Sequence, residues 1–142
     1  MKLEQLKSIV DKLDIEIPEF VIVGSLAFQL HKIDKEANVK DLDIAMQGSS
    51  IPTGWKELSS RFRKLTACKQ IEGEWVECFV YPELPLYEEI EYKDVKVKVR
   101  TKKSLMLHYL SIKIDSLGDV SSKFKDKIQK RKNWSEQYLR EF

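Results

Sequence analysis

The chain has 142 residues, enough for one sizeable hydrophobic core and too few for two independent ones. Apolar residues make up 42% and charged residues 34%, with 5 Gly and 4 Pro, which excludes a collagen-like, low-complexity or wholly disordered chain. The net charge of +2 is unevenly spread: residues 1–94 carry 12 Lys and Arg against 18 Asp and Glu, residues 95–142 carry 13 against 5. That division suits a cation site in an acidic front half and a phosphate-friendly surface behind it, and equally a solvated basic C-terminal helix. No apolar run reaches the ~18–20 residues that cross a bilayer. Residues 1–14 alternate charged and apolar side chains and lack a signal peptide's apolar stretch. The expected setting is therefore soluble and cytoplasmic, with no membrane partner.

In chain order, Leu3, Leu6, Ile9, Val10 and Leu13 fall at helical spacing and predict a first amphipathic helix over 2–13. Glu19-Phe20-Val21-Ile22-Val23 reads as a short buried strand that Gly24-Ser25 stops abruptly, and the pattern turns helical again from Leu26 to His31. Residues 32–40 are polar and predict a loop. Asp41-Leu42-Asp43-Ile44-Ala45-Met46 then alternates with period two, carboxylates on one face and Leu42, Ile44 and Met46 on the other. After the turn cluster 48–52, Trp55, Leu58, Phe62 and Leu65 stand at roughly helical spacing and predict a helix begun at Pro52 or Thr53.

Leu65 to Ile71 and Trp75 to Tyr81 read as two strands of a hairpin about Glu72-Gly73-Glu74. Ile90 to Arg100 alternates once more, with Val95, Val97 and Val99 opposite Lys96, Lys98 and Arg100. Two helices, roughly Lys103–Leu117 and Ser121–Leu139, finish the chain on either side of Gly118. The expectation is an α+β (mixed α/β) fold of four or five strands and a helical C-terminus. With no repeat or linker, it forms a single domain 1–142, with a core over about 18–102 and C-terminal helices over about 103–140.

The two cysteines, Cys68 and Cys78, lack CxxC spacing and are read as free thiols, Cys78 buried in its apolar run. His31 and His108 lack a metal-motif spacing and are read as ordinary, partly buried histidines.

Three features bear on chemistry. Asp41-x-Asp43 on a strand sets two carboxylates on one face with Cα atoms ~6.5–7 Å apart, where each raises the other's pKa unless a cation lies between them. Mg²⁺ is the natural cation for oxygen ligands, and a solvent-facing strand edge is the alternative. Glu77 interrupts the run Trp75-Val76-Cys78-Phe79-Val80, and burying it alone would cost several kcal/mol. It must emerge at a sheet surface or meet a cation or a hydrogen-bond donor. A third carboxylate beside the Asp pair would complete a site for two metals ~3.5–4 Å apart, as used in phosphoryl displacement. Gly24-Ser25 is a glycine elbow at a strand-to-helix turn, which admits a phosphate to the backbone and offers the Ser25 hydroxyl as a donor.

The order Phe20-Val21-Ile22-Val23-Gly24-Ser25, then Lys40-Asp41-Leu42-Asp43-Ile44, then Val76-Glu77-Cys78-Phe79-Val80 resembles the DNA polymerase β-like nucleotidyltransferase superfamily. Within it the chain is similar to the minimal bacterial branch of abortive-infection and toxin–antitoxin nucleotidyltransferases, whose later Lys-Asp helix is matched by Phe124-Lys125-Asp126-Lys127-Ile128. The resemblance covers most of residues 20–128. It implies a mixed sheet of about five strands flanked by helices, with Mg²⁺ or Mn²⁺ and a nucleoside triphosphate at one edge. Carried over by position, Gly24, Ser25 and Lys125 would bind the NTP. Asp41 and Asp43 would ligate metal, and Glu77 would stand where the family usually has a metal-binding Asp that activates the acceptor hydroxyl. The gap from Ser25 to Asp41 is longer than in many relatives.

The implied activity is transfer of a nucleoside monophosphate from NTP to an acceptor hydroxyl on a small molecule, a tRNA end or a protein. A second reading keeps the fold without the catalysis, as a nucleotide-binding or protein-interaction module beside a toxin–antitoxin-like partner. A third makes Lys96, Lys98, Arg100, Trp134 and Tyr138 a nucleic-acid surface.

Overall fold

A computed structural model of the chain describes residues 3–33, 39–58, 65–118 and 120–141. It divides into two compact units, residues 1–100 and 101–142.

Among the described residues the first unit has seven strands: β1 (Phe20–Val23), β2 (Leu42–Gln47), β3 (Lys56–Leu58), β4 (Leu65–Ile71), β5 (Glu74–Tyr81), β6 (Tyr87–Tyr92) and β7 (Val95–Arg100). They form one mixed sheet in the order β3-β4-β5-β2-β1-β7-β6. β1 runs parallel to β7, and β2 parallel to β5, while the remaining neighbours are antiparallel. Helix α1 (Leu6–Glu16) buries Leu6, Ile9, Val10 and Leu13, the stripe that i, i+3, i+4, i+7 spacing places on one side. It ends where the extended Ile17 returns its N–H to the Leu13 carbonyl at 2.7 Å, one residue before Pro18. Helix α2 (Gly24–Leu30) packs against β1, β2 and β7, and α1 against β7.

Alternation then sorts the strands. Ile22, Leu42, Ile44, Val76, Cys78 and Val99, all fully buried, share one face, as the registers Ile22↔Ile44, Ile44↔Cys78, Leu42↔Val76 and Ile22↔Val99 require. Val21, Val23 and Ala45 form a second buried cluster on the other face, with Phe79, Tyr81 and Leu84 packed against it.

The fold class is the expected mixed α/β with a helical C-terminus, but the sheet has seven strands instead of about five. One extra strand replaces the start of a predicted helix. Gly54 takes φ +86 in the turn before it, and Lys56-Glu57-Leu58 pairs with Cys68-Ala67-Thr66 as a short edge strand. The later part of that predicted helix, with Phe62, lies outside the described residues, as do residues 34–38 of the predicted loop. The other extra strand comes from reading 90–100 as one run. The chain reverses at Lys93 and Asp94, both at positive φ (45° and 67°), the backbone of a two-residue turn that right-twisted strands prefer. Glu72 and Gly73 (53° and 79°) make the same kind of turn in the hairpin that was expected.

Both cysteines are buried and free. Burial pushes the Cys78 thiol up to about 12 from its ordinary 9.0. Since the folded chain holds this proton more tightly than the unfolded one, stability falls as pH rises above 9.0, where only the unfolded thiol ionises. Native protein at pH 8 is expected to leave Cys78 unreacted with a thiol reagent that labels it at once in denaturant.

The second unit pairs α3 (Lys102–Ser111) with α4 (Ser122–Arg140), joined through a 3-10 turn at Ile114–Ser116. Thr101 and Ser121 cap the two helices, their hydroxyl oxygens accepting from the Ser104 and Phe124 N–H groups at 3.2 and 3.1 Å. The first helix stops at Ser111, six positions before the expected Leu117, because Ile112 turns extended. The ammonium of Lys132 on α4 then takes the carbonyls of Leu110 and Ile112 that this ending exposes. Arg131 is buried, donating to the Tyr109 hydroxyl at 2.7 Å with its guanidinium 5.3 Å from that ring's centre. Tyr109→Phe removes an acceptor from a buried charged donor and is expected to cost about 1–3 kcal/mol in denaturant unfolding.

Candidate active site

β1 leaves the sheet at Gly24, which takes φ +68, a left-handed backbone that a side chain rarely tolerates. The antiparallel register Val23↔Asp43 sets Asp43 beside that exit. A Cβ at Gly24 would collide with Asp43 Oδ2 and stand 3.1 Å from its Cβ and Cγ. Glycine is thus required twice over, once by φ and once by the carboxylate that occupies the space. Ser25 follows, buried, in a helix of only seven residues. What this elbow could offer a ligand is therefore close backbone approach more than a helix dipole.

On the other side of Asp43 lies β5, parallel, with Glu77 directly across. In-register neighbours share a face and adjacent strands are ~4.8 Å apart, so the carboxylates of Asp43 and Glu77 leave the sheet side by side. Both are half-buried, and two like charges so placed favour a cation between them. Further along the same face runs the apolar floor of Val21, Val23, Ala45, Phe79 and Tyr81. Such an apolar floor lowers the local dielectric and strengthens charge interactions at the acidic end.

Asp41 stands one residue before the first paired position, Leu42↔Val76, at the mouth of β2, and is half-buried. Among the described residues no three His, Cys, Asp or Glu side chains are gathered tightly enough to enclose a metal ion as they stand. The donor set nevertheless suits Mg²⁺ chemically, because that ion is commonly held by one or two carboxylates together with substrate phosphates. Asp43 and Glu77 supply the carboxylate pair, and Asp41 lies next along the chain.

Lys125 belongs to α4 in the second unit. The basic stripe of β7 has a feature that its own alternation does not show: Lys96 and Lys98 face Glu91 and Glu89 across the β6–β7 hairpin. These pairings set acidic side chains against two of the cations that would attract nucleic acid. Trp134 and Tyr138 on α4 likewise carry lysines, with Lys130 4.8 Å and Lys102 5.5 Å from their ring centres. His31 is nearly buried and anchors rather than reacts. Its Nε2 lies 2.7 Å from the Arg100 carbonyl, an acceptor, so that nitrogen carries the proton and ties the end of α2 to the end of β7.

The fold is nucleotidyltransferase-like, as its likeness to a solved structure shows. The chain is similar to an antigenic nucleotidyltransferase-like protein from Paracoccidioides brasiliensis, with a TM-score of 0.54 at 16% identity over 95% of this chain and 77% of that one. No family model matches the sequence, and no curated protein matches it. Among the described residues no helix is long and apolar enough to cross a membrane.

Proposed function

We propose that the protein is a metal-dependent nucleotidyltransferase that moves a nucleoside monophosphate from NTP to an acceptor hydroxyl. The observation that carries this reading is the row Gly24–Asp43–Glu77: a backbone elbow with no room for a side chain, then two carboxylates in register on one face.

In this reading Asp41, Asp43 and Glu77 would hold the divalent metal with the substrate's phosphate oxygens, Glu77 on the acceptor side. Mg²⁺, or Mn²⁺ in its place, supplies charge neutralisation at the triphosphate and acidifies a hydroxyl bound to it. Gly24 lets the β- and γ-phosphates approach the backbone, and the Ser25 hydroxyl donates to a phosphate oxygen. Lys125 is a candidate point charge for the triphosphate on the strength of the resemblance alone. Glu77 accepts the acceptor's hydroxyl proton as that oxygen bonds to the α-phosphorus. The bond from the α-phosphorus to the bridging oxygen breaks, and pyrophosphate leaves with that electron pair.

Incubation with Mg²⁺ and α-labelled NTP tests the activity. Release of pyrophosphate with the label passing to an acceptor supports it, and tight NTP binding with no transfer contradicts it. That second result is what the alternative predicts, a nucleotide-binding or protein-interaction module of the toxin–antitoxin kind. One observation favours the alternative. Glu77 is a methylene longer than the Asp usual in the resembled family, and a misplacement of ~1 Å costs on the order of 100-fold in rate.

A further inference from the structure

Trp75 is 48% exposed, an uncommon state for so large an apolar ring. It lies two residues before Glu77 on β5 and so leaves the sheet on the same face. One step before Val76, the partner of Leu42, it also flanks the mouth of β2 where Asp41 stands. Across the hairpin its neighbour is Gln70, also exposed, whose amide offers both a donor and an acceptor at the ring's edge. Displacement at phosphorus is in line, with the attacking oxygen entering opposite the leaving group. If pyrophosphate leaves on the Gly24 side of Asp43, the acceptor enters on the Glu77 side. That is where Trp75 and Gln70 lie.

We propose that Trp75 and Gln70 form the acceptor subsite and that the acceptor carries a planar ring beside its reacting hydroxyl, stacked on the Trp75 indole with its polar edge at Gln70. This rests on the nucleotidyl-transfer reading and adds to it a substrate class. A ring stacked there sets its attached hydroxyl beside the Glu77 carboxylate, whereas Phe79, on the other side of Glu77, is packed against Val21, Val23 and Ala45.

The test labels the three tryptophans with fluorine, assigns the Trp75 resonance through Trp75→Phe, and titrates the protein with Mg²⁺ and a nucleotide blocked between its α- and β-phosphates. Adenosine, tyrosine amide and ribose are then added in turn. Adenosine or tyrosine amide is expected to shift the Trp75 resonance saturably where ribose does not, and whichever of them does so identifies a nucleoside or a phenolic acceptor. Trp75→Ala, with its fold checked by circular dichroism, should weaken binding of that probe about tenfold, and Trp75→Phe should recover most of it. The assignment is overturned if both ring compounds act as ribose does while Mg²⁺ and nucleotide bind, or if the nucleotide alone moves the resonance. No binding of nucleotide to the unmodified protein is a separate result, which removes the functional reading and this assignment with it.

Discussion

Gly24→Ala is expected to damage the protein on two counts that can be measured apart. Forcing a side chain into the left-handed backbone at φ +68 costs about 1–3 kcal/mol in unfolding. The new methyl also overlaps the Asp43 carboxylate, which must swing away from its place beside Glu77. Displacing a reacting group by ~1 Å lowers rate on the order of 100-fold, so turnover should fall further than stability explains. Gly54→Ala is the matched control: it has a similar φ, +86, and a Cβ there meets nothing within 4 Å. It should show the backbone-strain part of the stability loss without the part due to overlap with Asp43, with activity retained. Equal activity in the two variants would show that the crowding of Gly24 against Asp43 has no functional consequence.

The largest effect on chemistry is expected from the carboxylate pair. Asp43→Asn removes the charge nearest the elbow while keeping its size, and should lower Mg²⁺-dependent NTP turnover by roughly 1000-fold or more, since a bound metal supplies several kcal/mol of transition-state stabilisation. Glu77→Gln cannot take up the acceptor's proton and should lose ~100–10,000-fold. Both should keep the native circular dichroism spectrum. Glu77→Asp separates the two readings of function. If the longer side chain is adapted to its place, shortening it lowers turnover; if Glu77 marks weakened catalysis, Asp at this position raises it.

The elements around the site were legible because each rests on local chemistry. The run Phe20–Val23 broken by Gly24, the alternation Leu42-Asp43-Ile44 and the hairpin about Glu72-Gly73 appear where period-two patterning and a glycine call for them. β3 was not legible, because Trp55, Leu58, Phe62 and Leu65 imitate helical spacing and its pairing with Cys68-Ala67-Thr66 is a tertiary choice. Nor was the β6–β7 hairpin, whose turn uses Lys93 and Asp94 at positive φ with no glycine to announce it. Alternation says which side chains share a face within one strand, and it is silent on which strand lies alongside. The register Asp43↔Glu77, which joins residues 34 positions apart, is therefore visible only once the sheet is assembled. The same applies to the lysines of β7, whose acidic partners sit on a strand that the sequence does not announce.

The central claim is that Asp43 and Glu77 face a divalent cation with a triphosphate at the Gly24 elbow. Calorimetric titration of Mn²⁺ in the presence of a non-hydrolysable NTP tests it most directly, on the unmodified chain and on Asp43→Asn. The account predicts saturable, NTP-dependent Mn²⁺ uptake by the first and its loss in the second. Equal uptake by both proteins would contradict it.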